Sequence, residues 1–195
     1  MRWFWIDRFV EFVRGRRAVA VKAIALDEEP LDGYTPGFPV MPASLMIEGM
    51  AQTAGLLIGE MEGFTQRVVL AKIGKAEFFQ VAIPGDVVRY EATILDVKKD
   101  GALASATAWR GDQRLAEVEL MFAFLDERFP PGPLFEPVDF VAMLRAFHMY
   151  DVGRTEDGQP IELPPFYAEA ERAAQAAYEP IPSPVLPTRT PATAS

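Results

Sequence analysis

The longest apolar run in the chain lies at residues 42–61, and its pattern predicts a helix that is buried on most sides. Its large hydrophobic residues occur all around the helical circumference instead of along one stripe. A proline-rich loop precedes the run, and Pro42 stands where a first-turn proline is tolerated, because its missing N–H would have no intrahelical partner. We therefore expect this helix at the centre of the core.

Alternating apolar and polar residues predict strands on both sides of this helix. Two precede it, at residues 6–13 and 18–26, with a turn at 14–17 and a loop at 27–32. The strands after it are predicted at residues 67–75, with Gly74 as a possible bulge, and at 87–98, 102–110 and 115–125. Turn residues at 99–101 and 111–113 join the last three as hairpins. The pattern indicates an α+β fold in which a curved antiparallel sheet wraps a central helix.

The chain beyond residue 126 has a different pattern. We predict one domain over residues 1–126 and a C-terminal extension over 127–195. In the extension, residues 129–137 are predicted as a linker or strap, 138–150 and 166–178 as helices, and 180–195 as an extended or disordered proline-rich tail. The extension could pack over the sheet, cap a ligand tunnel or mediate assembly.

One polar stripe interrupts the apolar helix, because Ser44, Glu48 and Gln52 recur at every fourth position. One interpretation is a polar seam that is hydrogen-bonded to a neighbouring backbone. The other is catalytic, since an unpaired carboxylate in an apolar site tends to hold a proton and can then act as a general acid. The free amides of the first helical turn, near Ala43, would lie one turn away and could polarise a carbonyl oxygen.

Composition excludes several classes of function. A formal net charge of −9 argues against nucleic-acid binding, which asks for clustered Lys and Arg. The absence of cysteine excludes disulfides and thiolate sites, and a single histidine, His148, excludes a histidine metal cluster. We expect no cofactor and no metal. No stretch reaches about 20 uninterrupted apolar residues, so we expect no membrane span and a cytoplasmic protein.

Residues 36–55, PGFPVMPASLMIEGMAQTAG, resemble the loop and central-helix signature of the β-hydroxyacyl-acyl carrier protein dehydratases of the FabZ/FabA type. Further matches at residues 6–12, 75–86 and 114–120 extend the resemblance over roughly residues 4–125. It implies the hotdog fold, a homodimer or a dimer-based hexamer, and an acyl thioester substrate carried by acyl carrier protein or coenzyme A in fatty-acid or polyketide-type metabolism.

The resemblance also implies the catalytic pair, which in this family is a loop histidine and a helix carboxylate from the other subunit. Here the carboxylate is Glu48, but Tyr34 stands at the histidine position. A phenol with a pKa near 10 is ionised to only about one part in a thousand at pH 7. Three outcomes stay open: a dehydratase that uses Tyr34 or a nearby carboxylate, another acyl-thioester reaction such as hydrolysis, and a noncatalytic acyl-binding subunit. Tyr34 could also simply close a dimer interface.

Substrate-binding residues follow from the same resemblance. We expect the thioester oxygen at the amides after Pro42, including those of Ala43 and Ser44, with Gln52 beside the substrate. The acyl tunnel between subunits would be lined by Phe38, Met41, Met46, Met50 and Phe79, although each of these suits ordinary core packing as well.

Two further groups of residues are functional candidates because of their side-chain types. Arg14, Arg16 and Arg17, or else Lys72 and Lys75, could dock an acidic acyl carrier protein, or they could be charges of a solvated turn and strand edge. His148 is a candidate substitute base, if the extension brings it to Glu48.

Overall fold

A single antiparallel sheet carries most of the fold in the computed structural model, which describes residues 4–34 and 37–177, with the backbone alone at 32–34. The strands are β1 (Arg8–Val13), β2 (Arg17–Ala23), β3 (Val68–Phe78), β4 (Val87–Lys98), β5 (Gly101–Arg110), β6 (Gln113–Phe124) and β7 (Gly153–Arg154). Their order is β3-β6-β5-β4-β2-β1-β7, and only the short β1–β7 pair is parallel. The long edge strand β3 therefore ends the sheet on one side.

The helices confirm the predicted α+β hotdog architecture, with one long helix packed on the sheet. They are α1 (Glu29–Tyr34), α2 (Ala43–Glu60), α3 (Pro137–Ala146), α4 (Met149–Val152) and α5 (Pro165–Ala177). Helix α2 packs on β4, β5 and β2, and Pro42 is its N-cap residue. The predicted bulge is also present, because the β3–β6 register shifts between Ile73 and Lys75, around Gly74. Among the described helices, none has the length and apolarity needed to cross a bilayer.

Two local predictions were wrong, and one short strand was not predicted. The loop expected at residues 27–32 gives way at Glu29 to helix α1, because Pro30 falls in the first turn, where proline is tolerated. The helix expected at 138–150 is two helices, broken where His148 adopts a left-handed backbone with φ 55°. Strand β7 was not predicted, since two residues are too few to show alternation. The proline-rich tail and the last residue of the second predicted helix lie outside the described residues.

The contact between α2 and β4 depends on Gly49. Tyr90 of β4 is fully buried, and a Cβ added at Gly49 would lie 2.5 Å from its ring carbons Cε2 and Cζ. Gly55 lies on the same helix, but a Cβ there would meet only the edge of the Phe122 ring, at 3.3 Å. The two glycines therefore differ in how closely the sheet approaches the helix.

We expect Gly49→Ala to lower the free energy of unfolding by about 2 kcal/mol, because the buried Tyr90 ring must shift. Gly55→Ala is the matched control, since both changes gain about 1 kcal/mol of helix propensity while only the first creates a hard overlap. Denaturant unfolding followed by circular dichroism checks both variants. Equal stability of the two would show that Gly49 is not the point of close approach.

The C-terminal extension packs on the segment that follows α2, around Phe64. Phe140 of α3 contacts Phe64 at 4.9 Å and Tyr167 of α5 at 5.4 Å between ring centroids. Arg67 holds the segment between β6 and α3 by donating hydrogen bonds to the backbone carbonyls of Asp126, at 2.8 Å, and of Pro130. The extension is thus anchored beside the C-terminal end of α2.

Candidate functional site

Glu48 takes part in a hydrogen-bonded chain that crosses from α2 to the N-terminal segment. Gln52 Nε2 donates to Glu48 Oε1 at 2.9 Å, and the backbone N–H of Trp5 donates to Gln52 Oε1 at 2.9 Å. Because a backbone amide can only donate, Trp5 fixes which end of the Gln52 amide faces the carboxylate. The Glu48 oxygen that Gln52 contacts is therefore an acceptor, and the carboxylate is held in one orientation.

The polar stripe runs from solvent toward the interior. Ser44 is exposed, whereas Glu48 and Gln52 are half-buried within one chain. The hydrogen bond between Gln52 and Trp5 matches the interpretation of a seam against a neighbouring backbone. Glu48 nevertheless keeps access to a cavity, which a purely structural seam would not require.

That cavity has a volume of about 1250 Å³ and lies between α2 and the C-terminal extension. Glu48 and Gln52 line it together with the small residues Ala51, Gly55 and Gly59, which follow one face of α2. Most of the other wall residues are aromatic or aliphatic: Phe4, Leu56, Phe64, Val68, Leu70, Phe122, Leu134, Phe135, Phe140, Met143, Phe147, Phe166 and Tyr167. The carboxylate thus opens on an apolar space of ligand size.

The N-terminus of α2 lies one turn from Glu48. The amides of Leu45 and Met46 donate to the Pro42 carbonyl, at 3.0 and 3.1 Å. Within the described part of the chain, the amides of Ala43 and Ser44 have no backbone acceptor. Ser44 and Glu48 are about 6 Å apart along the helix axis, so an acid and two free donors fall within the span of one small functional group.

The other predicted substrate residues, Ala43 and Ser44 included, do not line this cavity within one chain. Met41 and Pro42 are buried, and Tyr90 Oη donates to Met41 Sδ at 3.9 Å. Met46 and Met50 are also core residues. Phe38 and Phe79 are 61% and 42% exposed and do not line the cavity. The Tyr34 side chain lies outside the described residues, so its role stays a prediction.

Sequence reasoning did not single out Glu60, although it is a fully buried charge at the C-terminal end of α2. Arg14 Nε donates to Glu60 Oε2 at 2.9 Å, and the carboxylate raises the pKa of Arg14. Burial, with the Glu60 charge adding, raises the pKa of Tyr150, so this phenol stays neutral beside the pair. The signal available in the sequence was the acidic residue Glu60 at the end of an apolar helical run.

Several of the remaining candidates have local partners. His148 Nδ1 lies 2.6 Å from the Asp151 carboxylate on an exposed surface, and His148 does not line the cavity that contains Glu48. Arg17 pairs with Glu11 and Glu91, and Lys75 pairs with Glu77. Carrier docking at these basic residues stays a prediction. Across the described residues, no group of three potential ligands is arranged to hold a metal ion.

Comparison with known proteins agrees with this architecture. The family model described as the FabA-like domain matches residues 3–119. The 3-hydroxyacyl-[acyl-carrier-protein] dehydratase FabZ of Desulforamulus reducens is 39% identical over 119 residues, which cover 60% of this chain and 84% of the relative. The FabZ of Symbiobacterium thermophilum is 35% identical over 126 residues, which cover 64% and 89%.

A solved structure of a conserved Pseudomonas aeruginosa protein has the same fold, with a TM-score of 0.51 and 23% identity over 60% of this chain and 87% of that one. The comparisons and the sheet-wrapped helix agree on one assignment. This chain belongs to the FabA-like family, has the hotdog fold, and is related to the FabZ dehydratases.

Proposed function

We propose that this protein catalyses the reversible dehydration of 3-hydroxyacyl thioesters, with Glu48 as the catalytic residue. The observation that carries the proposal is the oriented Glu48 carboxyl, bonded by Gln52 and open to an apolar cavity of about 1250 Å³. The relatives named as 3-hydroxyacyl-[acyl-carrier-protein] dehydratases support the same reaction class.

In this mechanism Glu48 moves both protons. Its protonated Oε2 gives a proton to the 3-hydroxyl while the C3–O bond breaks, and water leaves. The C2 proton passes to Oε1 as the C2–C3 double bond forms, so the carboxyl ends with one proton, as it began. We assign both transfers to Glu48 because the family histidine is replaced by Tyr34, whose neutral phenol is a poor base at pH 7.

The amides of Ala43 and Ser44 would hold the thioester oxygen. Negative charge develops on that oxygen as the C2 proton leaves, and free N–H groups at the positive end of α2 stabilise it.

Tyr34 would orient the substrate by hydrogen bonding. Its replacement by Phe should then raise KM more than it lowers kcat, whereas Tyr34→His should increase turnover by supplying a second base.

A second subunit would complete the site. Strand β3 is an eleven-residue edge strand, and the apolar side chains of Leu70, Ile73 and Phe78 on it are about 40% exposed. Pairing β3 with its copy would cover this edge. Exposed Phe38 and Phe79 are further candidates for the dimer contact, and the acyl thioester could be carried by acyl carrier protein or coenzyme A.

The test is an assay of the purified protein with 3-hydroxyacyl and 2-enoyl thioesters, in which enoyl absorbance and free thiol are followed together. We expect interconversion of the two thioesters without thiol release. Thiol release alone would indicate a thioesterase, and acyl binding without either change would indicate a noncatalytic subunit. Either result would overturn the proposal.

Gln52 provides a separate prediction, because the structure indicates that it positions Glu48. We expect Gln52→Leu to lower kcat about tenfold while KM stays within about twofold, since the carboxyl loses its orienting donor. Steady-state kinetics of the variant check this split. A raised KM with unchanged kcat would instead support the substrate-binding role that the sequence suggested.

A further inference from the structure

We propose that the C-terminal extension forms an acyl chamber, a cavity against α2 that binds the fatty chain of the thioester and limits its length. This inference rests on the proposed function and adds the chain-length class of the substrate. The extension lies beyond residues 3–119, the part that matches the FabA-like domain, so its walls belong to this chain's own additions. The chamber is defined as the 1250 Å³ cavity described above.

The chamber has chemically distinct parts. Glu48 and Gln52 lie together near one end of the helix face that lines it. Its other polar lining residues form a rim, because most of them are solvent-exposed: Thr65, Gln66, Arg67, Glu136 and Asp139. The space between the carboxyl and the far wall is apolar, as an alkyl chain attached to a reacting thioester requires.

Aromatic side chains line the end of the chamber that lies near the C-terminus of α2. Phe64 packs directly against Gly59, where an added Cβ would lie 2.9 Å from Phe64 Cδ1. Phe140 and Tyr167 of the extension pack on Phe64 at centroid distances of 4.9 and 6.3 Å. These three rings lie toward the C-terminal end of the helix face that carries Glu48, and they set the depth of the chamber.

The helix gives that depth. Glu48 and Gly59 are separated by eleven residues, or about 16 Å at the α-helical rise per residue. An extended alkyl chain advances about 1.3 Å per carbon, given C–C bonds near 1.5 Å and tetrahedral angles. The chamber therefore suits an acyl chain of about a dozen carbons.

The extension also leaves apolar side chains uncovered along this cavity. Leu134, Phe135 and Phe166 line it and are 43%, 56% and 61% exposed. Large apolar groups that converge on one open cavity indicate a ligand. An alkyl chain covers them and reaches Glu48 at the same time, which a partner docked on the outer surface would not do.

The experiment measures binding of S-dodecanoyl-pantetheine and S-butanoyl-pantetheine by calorimetry. Neither thioester has a 3-hydroxyl, so a failure of the proposed dehydration does not affect the result. Each buried methylene can raise affinity by up to about fourfold, so we expect the dodecanoyl compound to bind at least about a hundredfold more tightly. Equal affinity for the two would overturn the acyl chamber.

Leu134→Asp and Val138→Asp form a matched pair, because the two side chains are 43% and 45% exposed but only Leu134 lines the chamber. We expect Leu134→Asp to weaken dodecanoyl binding about tenfold and Val138→Asp to change it less than about twofold. Equal effects would contradict the proposal. A change of molecular mass in light scattering that is seen for Leu134→Asp alone would also contradict the proposal. It would show that a second copy of the chain, and not an alkyl group, covers Leu134.

Met143→Trp is an independent variant that fills the chamber instead of charging it. Met143 lines the chamber from α3 and is half-buried. We expect it to weaken dodecanoyl binding about fivefold and to leave butanoyl binding unchanged. Equal losses for the two chains would show that the alkyl group lies elsewhere.

Discussion

Glu48→Gln is expected to lower the rate of 3-hydroxyacyl dehydration about a thousandfold, because the substituted amide can neither deliver nor accept the transferred protons. The fold should be unchanged. The glutamine oxygen at position 48 still accepts from Gln52 Nε2, so the chain of hydrogen bonds to Trp5 is kept. Steady-state assays with the enoyl absorbance, together with thermal unfolding, measure the two properties.

Glu62→Gln is the control for this variant. Glu62 follows the same helix and is exposed, so losing its charge removes one carboxylate without touching the cavity. We expect wild-type turnover from it. If Glu48→Gln retained full turnover, Glu48 would have no place in the mechanism.

Arg14→Met is expected to lower the free energy of unfolding by about 2–3 kcal/mol, because it leaves the fully buried Glu60 carboxylate without its cation. The upper part of the usual range for broken buried pairs does not apply, since Arg14 itself is 38% exposed and water screens it. The carboxylate also lies at the C-terminal end of α2, where the helix dipole disfavours negative charge. Denaturant unfolding measures the loss.

Arg17→Met is the matched control for this second prediction, since Arg17 has the same 38% exposure but pairs with the partly exposed acids Glu11 and Glu91. We expect it to cost about 0.5 kcal/mol. Adding Glu60→Leu to Arg14→Met should recover most of the lost stability, because no uncompensated charge is left. Equal losses for the two arginine variants would show that burial of the acid does not matter.

The central helix and the strands were predictable because their signals are local. Apolar residues around all of 42–61 indicate a buried helix, and alternation from Val87 to Lys98 indicates a strand that is half-buried. The stripe of Glu48 and Gln52 was equally visible, since i and i+4 residues meet on any helix.

Contacts between distant residues were not predictable. The Trp5 amide reaches Gln52 across 47 positions, and Arg14 reaches Glu60 across 46, so no spacing rule reveals them. The helix breaks at His148 because the backbone of this residue is left-handed. Histidine also occurs within helices, so the residue type did not indicate the break. The chamber lies between the extension and α2. The composition of the extension alone left three roles open, namely packing over the sheet, capping a ligand tunnel and mediating assembly.

Tyr34 shows where a family resemblance stops. The residues that follow, from Pro36 to Gly55, match the dehydratase signature, yet the residue that would supply the base is a phenol. The reaction therefore depends on whether Glu48 alone can move two protons. Gln52 supports this role by holding the Glu48 carboxyl in one orientation.

Oxygen exchange at C3 tests the proposed reaction most directly. A 3-hydroxyacyl thioester is incubated with the protein in oxygen-18 water, and mass spectrometry then locates the heavy oxygen. Reversible dehydration at Glu48 predicts label in the 3-hydroxyl group of the recovered thioester, and no label when Glu48→Gln replaces the wild type. Label confined to a released carboxylic acid, or no label at all, would contradict the dehydratase assignment.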